Sequence, residues 1–102
     1  MSTDNRFAKS ERKELHRVAG VANERELAKA VGVLEESFRQ RRRKKIGAFE
    51  LSDCTHKFHN GIARNLWGFY ETGHADVSVR YAISEGIISK TEVSPGILEK
   101  LI

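Results

Sequence analysis

The fold is decided by residues 48–72, which read AFELSDCTHKFHNGIARNLWGFYET. At about 100° per residue, one helical face collects Leu51, Thr55, Phe58, Ile62, Leu66 and Phe69. A flank beside that face collects Phe49, His56, Ala63, Trp67 and Tyr70. An apolar arc of this width predicts a long helix that contacts two neighbours at once.

A line of small residues runs along the opposite flank of the same helix. Cys54, Gly61 and Gly68 recur at steps of seven, which places them on one side. A glycine inside a helix costs about 1 kcal/mol relative to alanine, so two in register favour a structural purpose. The predicted purpose is the close approach of a neighbouring helix.

The preceding residues predict two further helices. The first begins at Ser10, runs to about Ala19 and ends at Gly20, a residue typical of helix C-termini. Asn23 and Glu26 have the spacing of a capping box, which predicts that the second helix begins there. Its apolar stripe consists of Leu27, Val31, Leu34 and Phe38. Residues 24–45 and 48–72 are then expected to form a central antiparallel hairpin.

The C-terminal third is harder to assign. Residues 76–88 alternate apolar and polar side chains with the period of a strand. The sequence offers no second strand for pairing, so a short helix ended by Gly86 is favoured. Ser94 and Pro95 are a typical N-cap and first residue, which predicts a final short helix.

These elements together predict one all-α domain. Residues 1–102 are expected to form a small bundle of four to five helices with a flexible tail at residues 1–7. A chain of this length has one modest core and little room for a deep enzyme cleft. It contains one cysteine, Cys54, which excludes an internal disulfide and favours a reducing compartment.

The positive charge of the chain is concentrated at one place. Residues 1–45 hold 13 Lys/Arg and 7 Asp/Glu, whereas residues 46–102 hold 5 and 7. The excess is due to six cations within seven positions: Arg39, Arg41, Arg42, Arg43, Lys44 and Lys45. Guanidinium groups suit phosphate, so the run predicts a nucleic-acid or other polyanion site. A solvated helix end and docking on an acidic protein are the alternatives. No aromatic residue interleaves the run, which argues against base stacking.

The leading functional hypothesis is therefore a non-enzymatic regulatory or accessory protein that binds a polyanion through this run. A second hypothesis is a protein–protein interaction module or homodimer, with an interaction surface at Phe49, His56, Trp67 and Tyr70. A third is a small hydrolase or metal-dependent enzyme at Asp53, His56 and Asn60, which lie at helical spacing on one side. Binding is favoured over catalysis.

The remaining sequence features concern cofactors, metals and cellular location. No cofactor motif and no paired metal-ligand spacing occur, so neither a cofactor nor a metal is expected. No apolar run approaches the ~20 residues that span a bilayer, and the first 20 residues lack an apolar core of the signal-peptide type. We therefore expect a cytoplasmic protein with no membrane partner.

Overall fold

The helices follow one another with short connections. The structure, a computed structural model, describes residues 6–101. In chain order these residues form α1 (Lys9–Arg42), α2 (Ala48–Phe58), a π-helical segment (His59–Ala63), α3 (Arg64–Glu71), α4 (Ala75–Ser84), a 3-10 turn (Lys90–Glu92) and α5 (Pro95–Leu101). The prediction of a small all-α bundle is confirmed. We call the continuous helical stretch of residues 48–71 the rod.

The core lies at one end of the molecule. Its buried side chains are Phe7, Leu15, Val18, Ala19, Ala22, Leu66, Tyr70, Ala75, Val79, Ala82, Ile88, Val93, Ile97 and Leu101. Residues 6–22 and 66–101, which hold this core, form what we call the head. Residues 23–65, which we call the arm, contain no buried residue. The central antiparallel hairpin expected from the sequence is not confirmed, because the bundle is centred on the head.

The first half of α1 departs from the prediction of two helices. α1 runs unbroken for 34 residues, through Gly20 and Asn23. Val18, Ala19 and Ala22 are each at most 2% exposed, so a break there would expose packed side chains. Their burial outweighs the cost of about 1 kcal/mol for an internal glycine.

The expected capping box is replaced by contacts with α3. The Asn23 side chain donates to the Glu71 carboxylate at 3.1 Å instead of capping a helix. The Glu26 carboxylate accepts a hydrogen bond from the Tyr70 hydroxyl. Both contacts lie where the head joins the arm, so they fix the direction in which the arm leaves the head.

Two residues of the predicted tail, Arg6 and Phe7, lie in the described part of the chain and contact the head. Phe7, expected at the end of a flexible tail, is 3% exposed and belongs to the core. Arg6 donates to the Lys100 carbonyl at 2.9 Å, and Arg12 donates to the Phe7 carbonyl at 2.7 Å. The expectation for residues 1–5 lies outside the described residues.

The C-terminal elements follow the predictions. Residues Ala75–Ser84 are helical, and Gly86 ends the turn after them with a φ of 76°. α5 begins at Pro95 as expected. The 3-10 turn before it is tied to α1 because Arg25 donates twice to the Glu92 carboxylate, at 2.6 and 2.9 Å.

The predicted close approach along the small-residue line is wrong. No neighbouring heavy atom lies within 4 Å of the point that a Cβ would occupy at Gly61 or Gly68. Gly61 lies in the π-helical segment, which shifts the register of residues on either side of it. The step of seven therefore does not keep one side facing one neighbour.

Replacing Gly20 by alanine tests the continuity of α1. We expect Gly20→Ala to raise the free energy of unfolding by about 0.5–1 kcal/mol, because the site is helical with open space around it. Gly86→Ala is the matched control and should destabilise by about 1–2 kcal/mol, because its φ is positive. Urea unfolding of both variants measures this. A loss of stability in Gly20→Ala would indicate a turn at Gly20.

The Arg25–Glu92 pair predicts a pH dependence. Hydrogen bonds from Arg25 and then from the Ser89 N–H lower the pKa of Glu92 from 4.5 to about 2. A carboxyl whose pKa falls on folding stabilises the folded state above its unfolded pKa, and this stabilisation is lost as the pH falls from about 4.5 towards 2. Glu92→Gln should therefore show a shallower loss of stability in that window. The measurement is the free energy of unfolding as a function of pH, with Glu85→Gln as the control. If this free energy falls equally steeply in wild type and in Glu92→Gln, the Arg25–Glu92 pair does not contribute to the pH dependence.

Candidate functional site

The six cations of the basic run lie at the far end of the arm. Arg39, Arg41 and Arg42 form the last turn of α1, and Arg43, Lys44 and Lys45 lead into the loop before α2. We call these six residues the basic tip. All six are exposed to solvent. The structure therefore brings the predicted residues together at one end of the molecule.

A Schellman motif gives the tip its backbone geometry. The Lys44 N–H donates to the Arg41 carbonyl at 3.0 Å, and the Lys45 N–H donates to the Gln40 carbonyl at 2.9 Å. Lys44 has a φ of 59°, in the left-handed region where glycine is usual. Lys44 therefore has a strained backbone conformation, which a glycine at this position would not have.

Little of the positive charge of the tip is neutralised by carboxylates of the chain. Arg39 donates to Glu36 at 2.9 Å, and this hydrogen bond lowers the pKa of that carboxyl, with a smaller contribution from Arg43. The salt bridges of residues 6–101 involve no other member of the tip. An exposed pair of this kind is weak, so it leaves most of the positive charge available.

The charge balance separates the arm from the rest of the chain. Residues 23–65 hold 10 Lys/Arg and 6 Asp/Glu, whereas the remaining residues hold 8 of each. The whole net charge of +4 therefore belongs to the arm. Within the arm the cations are concentrated at the tip, where an approaching polyanion meets them first.

An apolar groove runs along the arm between α1 and the rod. It has a volume of about 510 Å³ and is lined by Ala30, Val33, Leu34, Ser37, Cys54, Lys57, Phe58 and Ile62. Val33 is 72% exposed and Ile62 is 45% exposed. Val33 lies off the stripe predicted for this helix, so sequence periodicity alone missed its place in the groove.

The second predicted surface is dispersed. Phe49 is 94% exposed and Trp67 is 59% exposed, but 18 residues separate them, roughly 27 Å along a helix. His56 is exposed between them. Tyr70 is instead buried in the head, where burial and then the hydrogen bond to Glu26 raise the pKa of its hydroxyl. These four residues therefore do not form one surface patch.

Phe49 lies close to the basic tip along the chain. It lies in the first turn of α2, and three residues separate it from the end of the basic tip at Lys45. Exposed aromatic rings near cations are typical platforms for nucleic-acid bases. The signal was present in the sequence as an aromatic residue just beyond the run.

The third candidate site has ordinary surface contacts. Asp53 pairs with Lys57 at 3.0 Å, and the Asn60 side-chain nitrogen lies 3.1 Å from a His56 ring nitrogen. All four residues are exposed to solvent. Among residues 6–101, no group of three His, Cys, Asp or Glu side chains has the arrangement of a metal site.

None of the helices in the described part of the chain is both long enough and apolar enough to cross a bilayer.

Comparison of the chain with protein families, with curated proteins and with solved structures found no match.

The strain at Lys44 can be measured directly. We expect Lys44→Gly to raise the free energy of unfolding by about 0.5–1 kcal/mol, because glycine adopts a positive φ without steric cost. The control is Lys45→Gly, which removes the same charge and should stabilise less or destabilise. Thermal unfolding in the same buffer gives both values. Equal effects in the two variants would contradict a left-handed conformation at Lys44.

Proposed function

We propose that this protein is a non-enzymatic regulatory or accessory factor that binds nucleic acid or a similar polyanion through its basic tip, in the cytoplasm. The observation that supports this proposal is the isolation of the tip. Six exposed cations lie at the end of an arm, with one salt bridge among them in the described residues. Such a cluster attracts phosphate without first having to break its own ion pairs.

The chemistry of the tip indicates how tight and how selective this binding is. Arg39, Arg41, Arg42 and Arg43 supply guanidinium forks that can bind phosphate oxygens in pairs. Three or four such contacts give a slope of log K against log salt near −3. Binding of this kind is moderate, salt-sensitive and mostly independent of sequence.

Phe49 favours single strands over duplexes as the ligand. Its exposed ring can stack on an unpaired base, while the adjacent cations contact the phosphates on either side. Paired bases are stacked inside a duplex and do not offer their faces. We therefore propose single-stranded RNA or DNA as the preferred form.

A second candidate function is self-association or partner binding through the arm. The observation that favours it is the lack of any buried residue from 23 to 65, although both helices of the arm carry apolar side chains. The hydrolase hypothesis has no such support, because Asp53, His56 and Asn60 are exposed and make surface contacts.

Charge removal at the tip tests the leading proposal. In the triple variant Arg42→Gln, Arg43→Gln and Lys45→Gln, we expect oligonucleotide affinity to fall at least tenfold at low salt. The slope of log K against log salt should become shallower by about 2, because each contact to a single strand contributes about 0.7. Fluorescence anisotropy with a labelled oligothymidylate at several salt concentrations measures both quantities.

The matched control removes three cations from the head, in Lys9→Gln, Lys13→Gln and Arg17→Gln. All three are exposed on the first half of α1. We expect this variant to keep its affinity within about twofold. If the two triple variants bind equally well, net charge and not the tip determines binding, and the proposal is wrong.

Phe49→Ser should weaken binding to single strands while leaving duplex binding unchanged.

A further inference from the structure

We infer that the groove of the arm is covered by the arm of a second copy of this chain, packed antiparallel, so that the two arms form a four-helix bundle. This inference develops the second candidate function and does not depend on polyanion binding. This groove is lined by residues of α1 on one side and of the rod on the other. A dimer of this kind gives the arm the core that it lacks by itself.

The need for a cover follows from the packing of the arm. Two helices side by side leave one apolar side open, and stable domains close it with a second layer. Val33, a valine in the middle of the groove, is 72% exposed. Leu34 and Phe58 line the same groove and are only half-buried. All the residues that line the groove belong to the arm.

The size of the open face matches what a dimer requires. From residue 24 to residue 42 the arm is roughly 30 Å long, and two packed helices are about 20 Å wide. The footprint is therefore about 600 Å², and accessible area exceeds a flat footprint. A standard stable interface buries about 800 Å² per partner. The face is thus large enough for a second copy without any contribution from the head.

The distribution of charge selects the antiparallel arrangement. Val33 lies nine residues after Glu24 and nine residues before Arg42. A two-fold axis at Val33 therefore brings the basic tip of each copy level with Glu24 of the other. Glu71 lies beside this position, because it accepts a hydrogen bond from Asn23. A parallel pair would instead bring two basic tips together.

The dimer leaves part of each tip available for a polyanion. Arg41 follows Ser37 by four residues, so it lies on the groove side of α1. Arg42 and Arg43 lie further round the helix by about 100° and 200°. The groove and the outer side of the tip can therefore be tested separately.

Val33→Glu tests the inference with little risk of unfolding. Val33 is mostly exposed in one copy, and glutamate has a higher helix propensity than valine, so a monomer should tolerate the change. In sedimentation experiments we expect wild type to be a dimer at about 100 µM and the variant to be a monomer. The unfolding midpoint should depend on concentration in wild type alone. Ser52→Glu adds the same charge to an exposed site outside the groove and should leave the dimer intact.

Cysteine cross-linking tests the position of the axis. In a Cys54→Ser background, Val33→Cys should form an intermolecular disulfide at least tenfold faster than Glu35→Cys. A residue on a two-fold axis meets its own copy within disulfide range, whereas a residue two positions away on a helix points about 200° round. Equal rates would contradict the arrangement.

Two further results would overturn the inference. If wild type is a monomer at about 100 µM, the groove binds a different molecule or none. If added salt strengthens the dimer, the tips lie side by side and the antiparallel arrangement is wrong. Oligonucleotide binding by monomeric Val33→Glu tests the tip independently, so failure of the dimer and failure of the polyanion site give different results.

Discussion

The burial of one side of α1 against the head determines the rest of this structure. Leu15, Val18 and Ala22 are at most 2% exposed and pack against the other head helices. Their packing keeps the helix continuous through Gly20, so it extends beyond the head as one piece. At 1.5 Å per residue, the 34 residues of α1 span about 51 Å. The longest dimension of the molecule is 54 Å, which shows that α1 sets its length.

The arm has its properties because it projects from the head. Contacts at the junction, from Asn23 to Glu71 and from Tyr70 to Glu26, fix α1 and α3 relative to each other. Beyond these contacts no residue up to position 65 is buried. Positive charge and uncovered apolar side chains therefore coexist on the arm, while the head holds 8 Lys/Arg against 7 Asp/Glu and is well packed. For this reason we propose that the arm carries the function of the protein.

Sequence periodicity predicted those features that depend on local pattern. The rod and α5 were expected, because amphipathic period and capping residues are local signals. α4 was expected for a different reason, because the sequence offers no second strand to pair with residues 76–88. The basic tip was also predictable, because six neighbouring cations at a helix end stay together in any helical fold.

The features that the sequence did not predict depend on tertiary contacts. Gly20 and Asn23 resemble a helix end, and only the burial of Ala19 and Ala22 on either side overrides that preference. Tyr70 belongs to the same wide arc as Trp67, yet its hydroxyl finds Glu26 and the residue is buried. A helical wheel shows neither the contact with Glu26 nor the shift in register at the π-helical segment. The wheel therefore places Trp67 and Tyr70 on one surface.

An NMR titration of ¹⁵N-labelled protein with a single-stranded oligonucleotide would locate the polyanion-binding residues. If the end of the arm is the binding site, the amide shifts will change along Arg39 to Phe49 and stay constant in the head. The largest changes should occur at Arg42 and Arg43 and should fade as salt is added. Shift changes centred on Lys9 to Arg17, or no changes at low salt, would contradict the account.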